Sequence, residues 1–238
     1  MPSLKLAPAS LAPRERIYAI GDIHGCIRRL ESIHRLIRRD IRLRPITSVT
    51  LVYLGDYIDR GPDSGGVLDA IISPEQPFPA DHRVFLMGNH EALFLEALRG
   101  DERAFSDWQR NGGEACLASW DARPEDWRQR IPVQHHKFLT SLSPMYTQGG
   151  YLFVHAGIRP GVKLEDQQVD DLVWIRDPFL DSSDRFSHVV VHGHSPERFS
   201  PVVRTNRIGI DTGAVYGGPL TCLVLEEGFM GFLQSRRN

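Results

Sequence analysis

Six side chains stand at one kind of place in the chain: Asp22, His24, Asp56, Asn89, His155 and His194. Each closes a short apolar run, in RIYAIGDIHG, VTLVYLGD, RVFLMGNHE, YLFVHAG and HVVVHGHS. Together they offer carboxylate, imidazole and amide donors and no thiolate. That set suits Mn²⁺, Fe or Zn²⁺ better than Ca²⁺ or Mg²⁺. Six ligands would leave two metals with open positions, which metal-assisted hydrolysis needs for water and substrate. Asp22 and Asp56, once ionised, bring about two negative charges against about four positive ones. The remaining positive charge suits a phosphate dianion. Without metals, the two carboxylates would repel each other at buried strand ends.

Continuous apolar runs of this length read as strands buried on both faces. Helical patterns separate the first three runs. Ile27, Leu30, Ile33, Leu36 and Ile37 recur at helical spacing, SGGVLDAII is a short helix, and EALFLEALRG is a helix stopped by Gly100. Alternating strands and helices predict an α/β fold with parallel pairing. In such sheets ligand groups collect at the carboxyl ends of strands, so the five ends are expected to meet in one crevice. From 101 to 140 the pattern turns helical and Arg-rich, an insertion whose Trp108, Trp120 and Trp127 are expected in its core. From 202 to 234 short strands are expected, with turns at Thr205-Asn206, Gly217-Gly218 and Glu227-Gly228.

The bulk numbers bound the class. With 238 residues, 41% of them hydrophobic, the chain can bury one sizeable core. We expect residues 1–15 to be a loose tail rather than a signal peptide, and 16–238 to be a single domain. A net charge of -2 gives no push toward nucleic acid or an anionic membrane. The arginines from Arg28 to Arg44 make the first helix basic, and a solvated face is the ordinary reading. Three cysteines without a CxxC pairing fit a reducing compartment, so the expected location is cytoplasmic. No apolar run approaches the roughly 20 residues of a membrane span.

GDIHG, GDYIDRG and GNHE closely resemble the three signature motifs of the phosphoprotein phosphatase (PPP) family of calcineurin-like, dinuclear metallophosphoesterases. HAG and HGH are similar to the remaining metal-ligand motifs of its compact bacterial and phage branch. The resemblance runs from about Arg16 to Leu225. It implies a central β-sandwich flanked by helices. It implies two divalent metals, Mn first and Fe or Zn next, with Asp22 and His24 on one, Asp56 bridging, and Asn89, His155 and His194 on the other. His90 resembles the general acid and Asp59 its orienting partner. Arg60, Asn89 and, in DLVWIRDP, Arg176 resemble the groups that hold the substrate phosphate. His192 is expected only to make strand-end hydrogen bonds. The implied reaction is in-line attack of a hydroxide shared by the metals, with His90 protonating the leaving oxygen. The implied substrates are phosphomonoesters, phosphoproteins first, on serine or threonine and then tyrosine. The alternative is a dinucleoside polyphosphate, because IDTGAVYGG resembles enzymes that cleave diadenosine tetraphosphate. Glu91 and Asp59 favour the protein-phosphatase side.

Overall fold

The computed structural model describes residues 1–75, 77–100, 102–197 and 200–235. Alternation along strand β2 (Glu15–Ile20) sets the layers. Ile17 and Ala19 face one core, while Tyr18 and Ile20 face another, as a pleated strand requires. Strand β3 (Ser48–Tyr53) repeats this, with Val52 on the first side and Leu51 and Tyr53 on the second. β2, β3 and β4 (His82–Phe85) pair in parallel. Their crossovers are the helices α1 (Ile27–Leu43) and α2 (Ser64–Ile72), and α3 (Asn89–Leu98) follows β4.

On the other side of β2 a hairpin of β10 (Thr221–Glu226) and β11 (Phe229–Gln234) adds antiparallel strands. A short strand β1 (Lys5–Leu6) completes the order β1-β11-β10-β2-β3-β4. The second sheet runs β5-β6-β7-β9-β8, from β5 (Met145–Gln148), β6 (Tyr151–Val154), β7 (Val189–His192), β8 (Val202–Val203) and β9 (Arg207–Gly209). Here β6, β7 and β9 are parallel.

The inner faces of the sheets meet through Ile17, Val52, Phe153, Val191, Ile208 and Leu223. The outer face of the first sheet carries the helices. That of the second carries Leu172, Ile175 and Phe179, around helix α8 (Val169–Trp174). The fold is therefore the expected β-sandwich flanked by helices. The motif-bearing strands divide between its sheets, β2, β3 and β4 in one and β6 and β7 in the other.

The 101–140 region forms α4 (Glu102–Trp108), a π-helical turn Gln109–Gly113, α5 (Glu114–Ser119), α6 (Trp127–Arg130) and α7 (Val133–Leu139). Its tryptophans are buried, as their pattern suggests. Trp108, Trp120 and Trp127 surround Phe94 of α3 with ring centroids 5.4, 5.8 and 5.8 Å away. The insertion thus shares the core of the first sheet.

Two expectations need correction. The segment 1–15 is not a loose tail. β1 pairs with β11, the Ala7 N–H donates to Gly228 O at 3.0 Å, and the Leu11 N–H donates to Glu227 O at 2.9 Å. The cause is the open edge of β11, whose backbone groups need partners, and Leu11 fills the space between the sheets. Arg44 is also not part of the basic helical face. It caps α1 and turns inward, ion-paired to Asp40 at 2.5 Å and Glu226 at 2.6 Å.

Candidate active site

Both parallel strand sets end at the same rim, and the chain turns sharply there. Of the eight non-glycine residues with positive φ among the described residues, five lie in the motifs: His24 (45°), Asp56 (52°), Asp59 (71°), Arg60 (65°) and His194 (61°). Left-handed backbone is unfavourable for such residues and persists only where surroundings impose it, which is common at functional sites. Glu91 supplies part of that constraint. Its buried carboxylate accepts the backbone N–H groups of Asp56 (2.9 Å), Tyr57 (2.8 Å), Ile58 (3.3 Å) and Gly88 (2.9 Å). Burial and the nearby Asp56 charge push Glu91 up to about 8, against the lowering pull of the Asp56, Gly88 and Tyr57 N–H donors.

Asp56 is the shared member of two clusters of ligand-capable atoms. One is His24, Asp56 and His90; the other is Asp22, Asp56 and His155. The His24 Nδ1–H donates to Ile58 O at 2.9 Å, which leaves the Nε2 lone pair facing Asp56 Oδ2 at 3.3 Å and Arg60 Nη1 at 3.0 Å. The His155 Nδ1–H donates to Leu54 O at 2.8 Å, so its Nε2 lone pair faces the Asn89 Oδ1 at 3.0 Å. His194 Nδ1 lies 2.9 Å from the same oxygen. Asp22 Oδ2 accepts the His194 N–H at 3.0 Å, while its Oδ1 is buried without a hydrogen-bond partner among the described residues. Gly193 is required beside it, because any Cβ there would strike Asp22 Oδ1.

These observations fit divalent metals. A lone pair of His155 against a lone pair of Asn89, and an orphaned Asp22 oxygen, are arrangements that a cation resolves. Burial, then the neighbouring His155, holds His194 down to about 3, and burial lowers His155, which leaves both imidazoles in the neutral form that a metal requires. Burial acts to lower His24 too, but the adjacent Asp56 raises it. Burial, Asp211 and Asp56 together raise Asp22. Burial also acts to raise Asp56, but the surrounding imidazoles of His155, His90 and His24 favour its ionised form and hold it well below the ordinary carboxylate value.

His90 stands apart from the other imidazoles. Its Nδ1–H donates to Asp59 Oδ2 at 2.8 Å, and its Nε2 is buried with no partner among the described residues. It lies edge-on to His24, centroids 4.6 Å apart. His192 behaves as expected, hydrogen-bonded to Gly193 O at 3.0 Å and to Arg207 Nη1 at 3.3 Å.

A cavity of about 360 Å³ opens beside these clusters, and His24, Asp56, Arg60, Asn89, Arg176 and His194 line it. The Arg176 Nε–H reaches His194 Nε2 at 3.3 Å. All ten sequence-predicted site residues therefore gather here, nine of them within the two clusters or the cavity lining. The tenth, Asp59, touches the site through His90.

Four further lining residues were not singled out by the motifs: Asn111, Trp174, Asp211 and Tyr216. Asp211 is a further buried carboxylate, fixed by the Gly213 N–H at 3.0 Å, and the IDTG turn was its sequence signal. Trp174 and Tyr216 are large aromatics left 41% and 60% exposed. Trp174 lies edge-on to His194, and Tyr216 lies under the Arg60 guanidinium at 5.8 Å. A single aromatic in an amphipathic segment gives no such signal in sequence.

The profile of the calcineurin-like phosphoesterases matches residues 15–222. The chain is 30% identical to the asymmetrical bis(5'-nucleosyl)-tetraphosphatase PrpE of Anoxybacillus flavithermus, over 87% of this chain and 89% of that one. It is 28% identical to serine/threonine-protein phosphatase 1 of Salmonella typhimurium, over 86% and 89%. The crystal structure of a candidate diadenosine tetraphosphatase superposes with a TM-score of 0.66 at 23% identity, covering 97% of this chain and all of that one. No helix among the described residues is long and apolar enough to cross a membrane. Sequence motifs, sandwich architecture and ligand clusters agree: the chain is a metallophosphoesterase and belongs to the calcineurin-like phosphoesterase family.

Proposed function

We propose that this protein is a dinuclear metal-dependent phosphatase that hydrolyses phosphomonoesters, with phosphoproteins as its substrate class. The observation that carries this reading is His90, whose Nδ1 is held by Asp59 and whose Nε2 is buried and unpartnered among the described residues. The oxygen leaving from phosphoserine is strongly basic and needs a proton as it departs. The phosphate leaving from an anhydride is a far weaker base, with a second pKa near ~6. A built proton donor therefore helps a phosphomonoesterase most.

Asp22 and His24 would hold one metal and Asn89, His155 and His194 the other, with Asp56 between them. The metals supply Lewis acidity that neutralises phosphate charge and acidifies water. Arg60 and Arg176, which both line the cavity, bind the non-bridging phosphate oxygens as planar forks of N–H donors. The attacking water gives one proton to solvent, and its oxygen forms the new bond to phosphorus opposite the leaving oxygen. The bond to the leaving oxygen breaks, its electron pair stays on that oxygen, and His90, entering the step as the imidazolium with Nδ1–H on Asp59, gives it the Nε2 proton. Asp59 keeps the His90 ring in place and compensates its charge.

Cleavage of dinucleoside polyphosphates is the second reading. Trp174 on the His194 side and Tyr216 on the Arg60 side are exposed flat surfaces at the cavity, suited to stacking two nucleobases across a polyphosphate. The similarity to PrpE supports it equally.

The test is turnover by Mn²⁺-loaded protein of a phosphoserine peptide, a phosphotyrosine peptide and diadenosine tetraphosphate, with nucleotide products followed by chromatography. Highest kcat/KM on a peptide is the expected outcome. Highest kcat/KM on the dinucleotide would replace the main reading with the second.

A further inference from the structure

We infer that Trp108 is a positioning residue for proton donation, and that the helical insertion supplies the third member of a Trp108–Asp59–His90 chain. The inference rests on the reading of His90 as the proton donor. Trp108 is fully buried at the end of α4, 49 residues beyond Asp59 in the chain. Its indole N–H is shared between both carboxylate oxygens of Asp59, at 3.0 Å to Oδ1 and 2.9 Å to Oδ2. Oδ2 is the oxygen bonded to His90 Nδ1 at 2.8 Å.

Asp59 is itself fully buried, and burial raises it, while His90 and then Trp108 act in the other direction. Its carboxylate therefore depends on these two donors. With the indole removed, a buried carboxylate would keep a single donor and be free to rotate about its Cβ–Cγ bond. The shared indole N–H fixes both oxygens, and so fixes the plane into which His90 donates.

The indole is in turn immobile. Phe94 packs edge-on at 5.4 Å and Trp127 lies tilted at 5.2 Å. Gly113 lets the chain pass directly over the ring, since a Cβ there would come 2.6 Å from Cδ2 and Cε2. These contacts are more than burial of a tryptophan needs. They aim one polar atom at one carboxylate.

The test compares wild type, Trp108→Phe and His90→Asn, all Mn²⁺-loaded, on phenyl phosphate and dinitrophenyl phosphate. Dinitrophenolate leaves without a proton; phenolate does not leave easily. The ratio of kcat on dinitrophenyl phosphate to kcat on phenyl phosphate is expected to widen about tenfold in Trp108→Phe, with KM within about twofold. It is expected to widen about 10²-fold in His90→Asn. An unchanged ratio in Trp108→Phe beside a widened one in His90→Asn overturns the role of Trp108 alone. An unchanged ratio in His90→Asn overturns the proton-donor reading itself. A second measurement needs no turnover. The His90 Nδ1 proton is followed by NMR exchange in wild type and in protein carrying benzothienylalanine at 108, which keeps the indole's shape without its N–H. Exchange at least about tenfold faster is expected, and unchanged exchange overturns the proposal.

Discussion

Glu91 shows what a single residue does for this site without touching substrate. Its carboxylate gathers four backbone N–H groups from two loops, and so holds Asp56 in a left-handed conformation that its own chemistry disfavours. A glutamine would set an amide donor against backbone donors. Glu91→Gln is expected to destabilise the fold by about 2 kcal/mol in urea unfolding and to lower Mn²⁺ affinity, because one buried acceptor is lost. Wild-type stability in that variant would show that the loop is held by something else. At this scale the gathering of Asp22, His24, Asp56, Asn89, His155 and His194 was legible in sequence, since each closes an apolar run. The work of Glu91 was not, because a buried acceptor of distant N–H groups has no local pattern.

Among the elements, the helical insertion has the most to explain. Its Asn-Gly-Gly-Glu segment forms the π-helical turn against the Arg60 loop. The Arg60 N–H donates to Gly112 O at 3.0 Å, and Gly112 has φ 107°, where a Cβ would meet Arg60 Cγ at 2.7 Å. Gly112→Ala is thus expected to cost about 1–3 kcal/mol and to lower phosphatase kcat/KM by displacing Arg60. Thermal unfolding and steady-state kinetics would check both, and wild-type values would contradict it. The insertion's helical character and buried tryptophans could be read from sequence. The contacts of Trp108 with Asp59 and of Gly112 with Arg60 could not, because they join segments far apart in the chain. The strand β1 was missed for a different reason, being two residues without periodicity.

α1 carries a separate, pH-sensitive contact. Burial, then the charges of Arg38 and Arg83, holds His34 down to about 4, and its Nε2 bonds the Tyr53 hydroxyl at 2.8 Å. In the unfolded chain this imidazole returns to about 6.5. The unfolded state therefore binds a proton that the folded state refuses. The His34 contribution is fully present above about pH 6.5 and is lost as pH falls toward 4, by at most about 3 kcal/mol. His34→Gln is expected to flatten the stability profile in that window. An equally steep profile in the variant would exclude His34 as its source.

In the whole molecule, the proposed ligands come from both sheets. Asp22, Asp56 and Asn89 follow β2, β3 and β4, whereas His155 and His194 follow β6 and β7. Asp56 lies in both clusters, so it is placed to couple the two proposed metal positions and, through them, the two halves of the sandwich. Metal that binds only the folded chain stabilises it. The most direct measurement is the number of Mn²⁺ ions bound per chain, by equilibrium dialysis and elemental analysis, in wild type and in Asp56→Asn. Two ions per wild-type chain, with weakened binding of both in the variant, is the expected result. A single ion per wild-type chain, or a variant that still binds two as tightly, would contradict a dinuclear site bridged by Asp56.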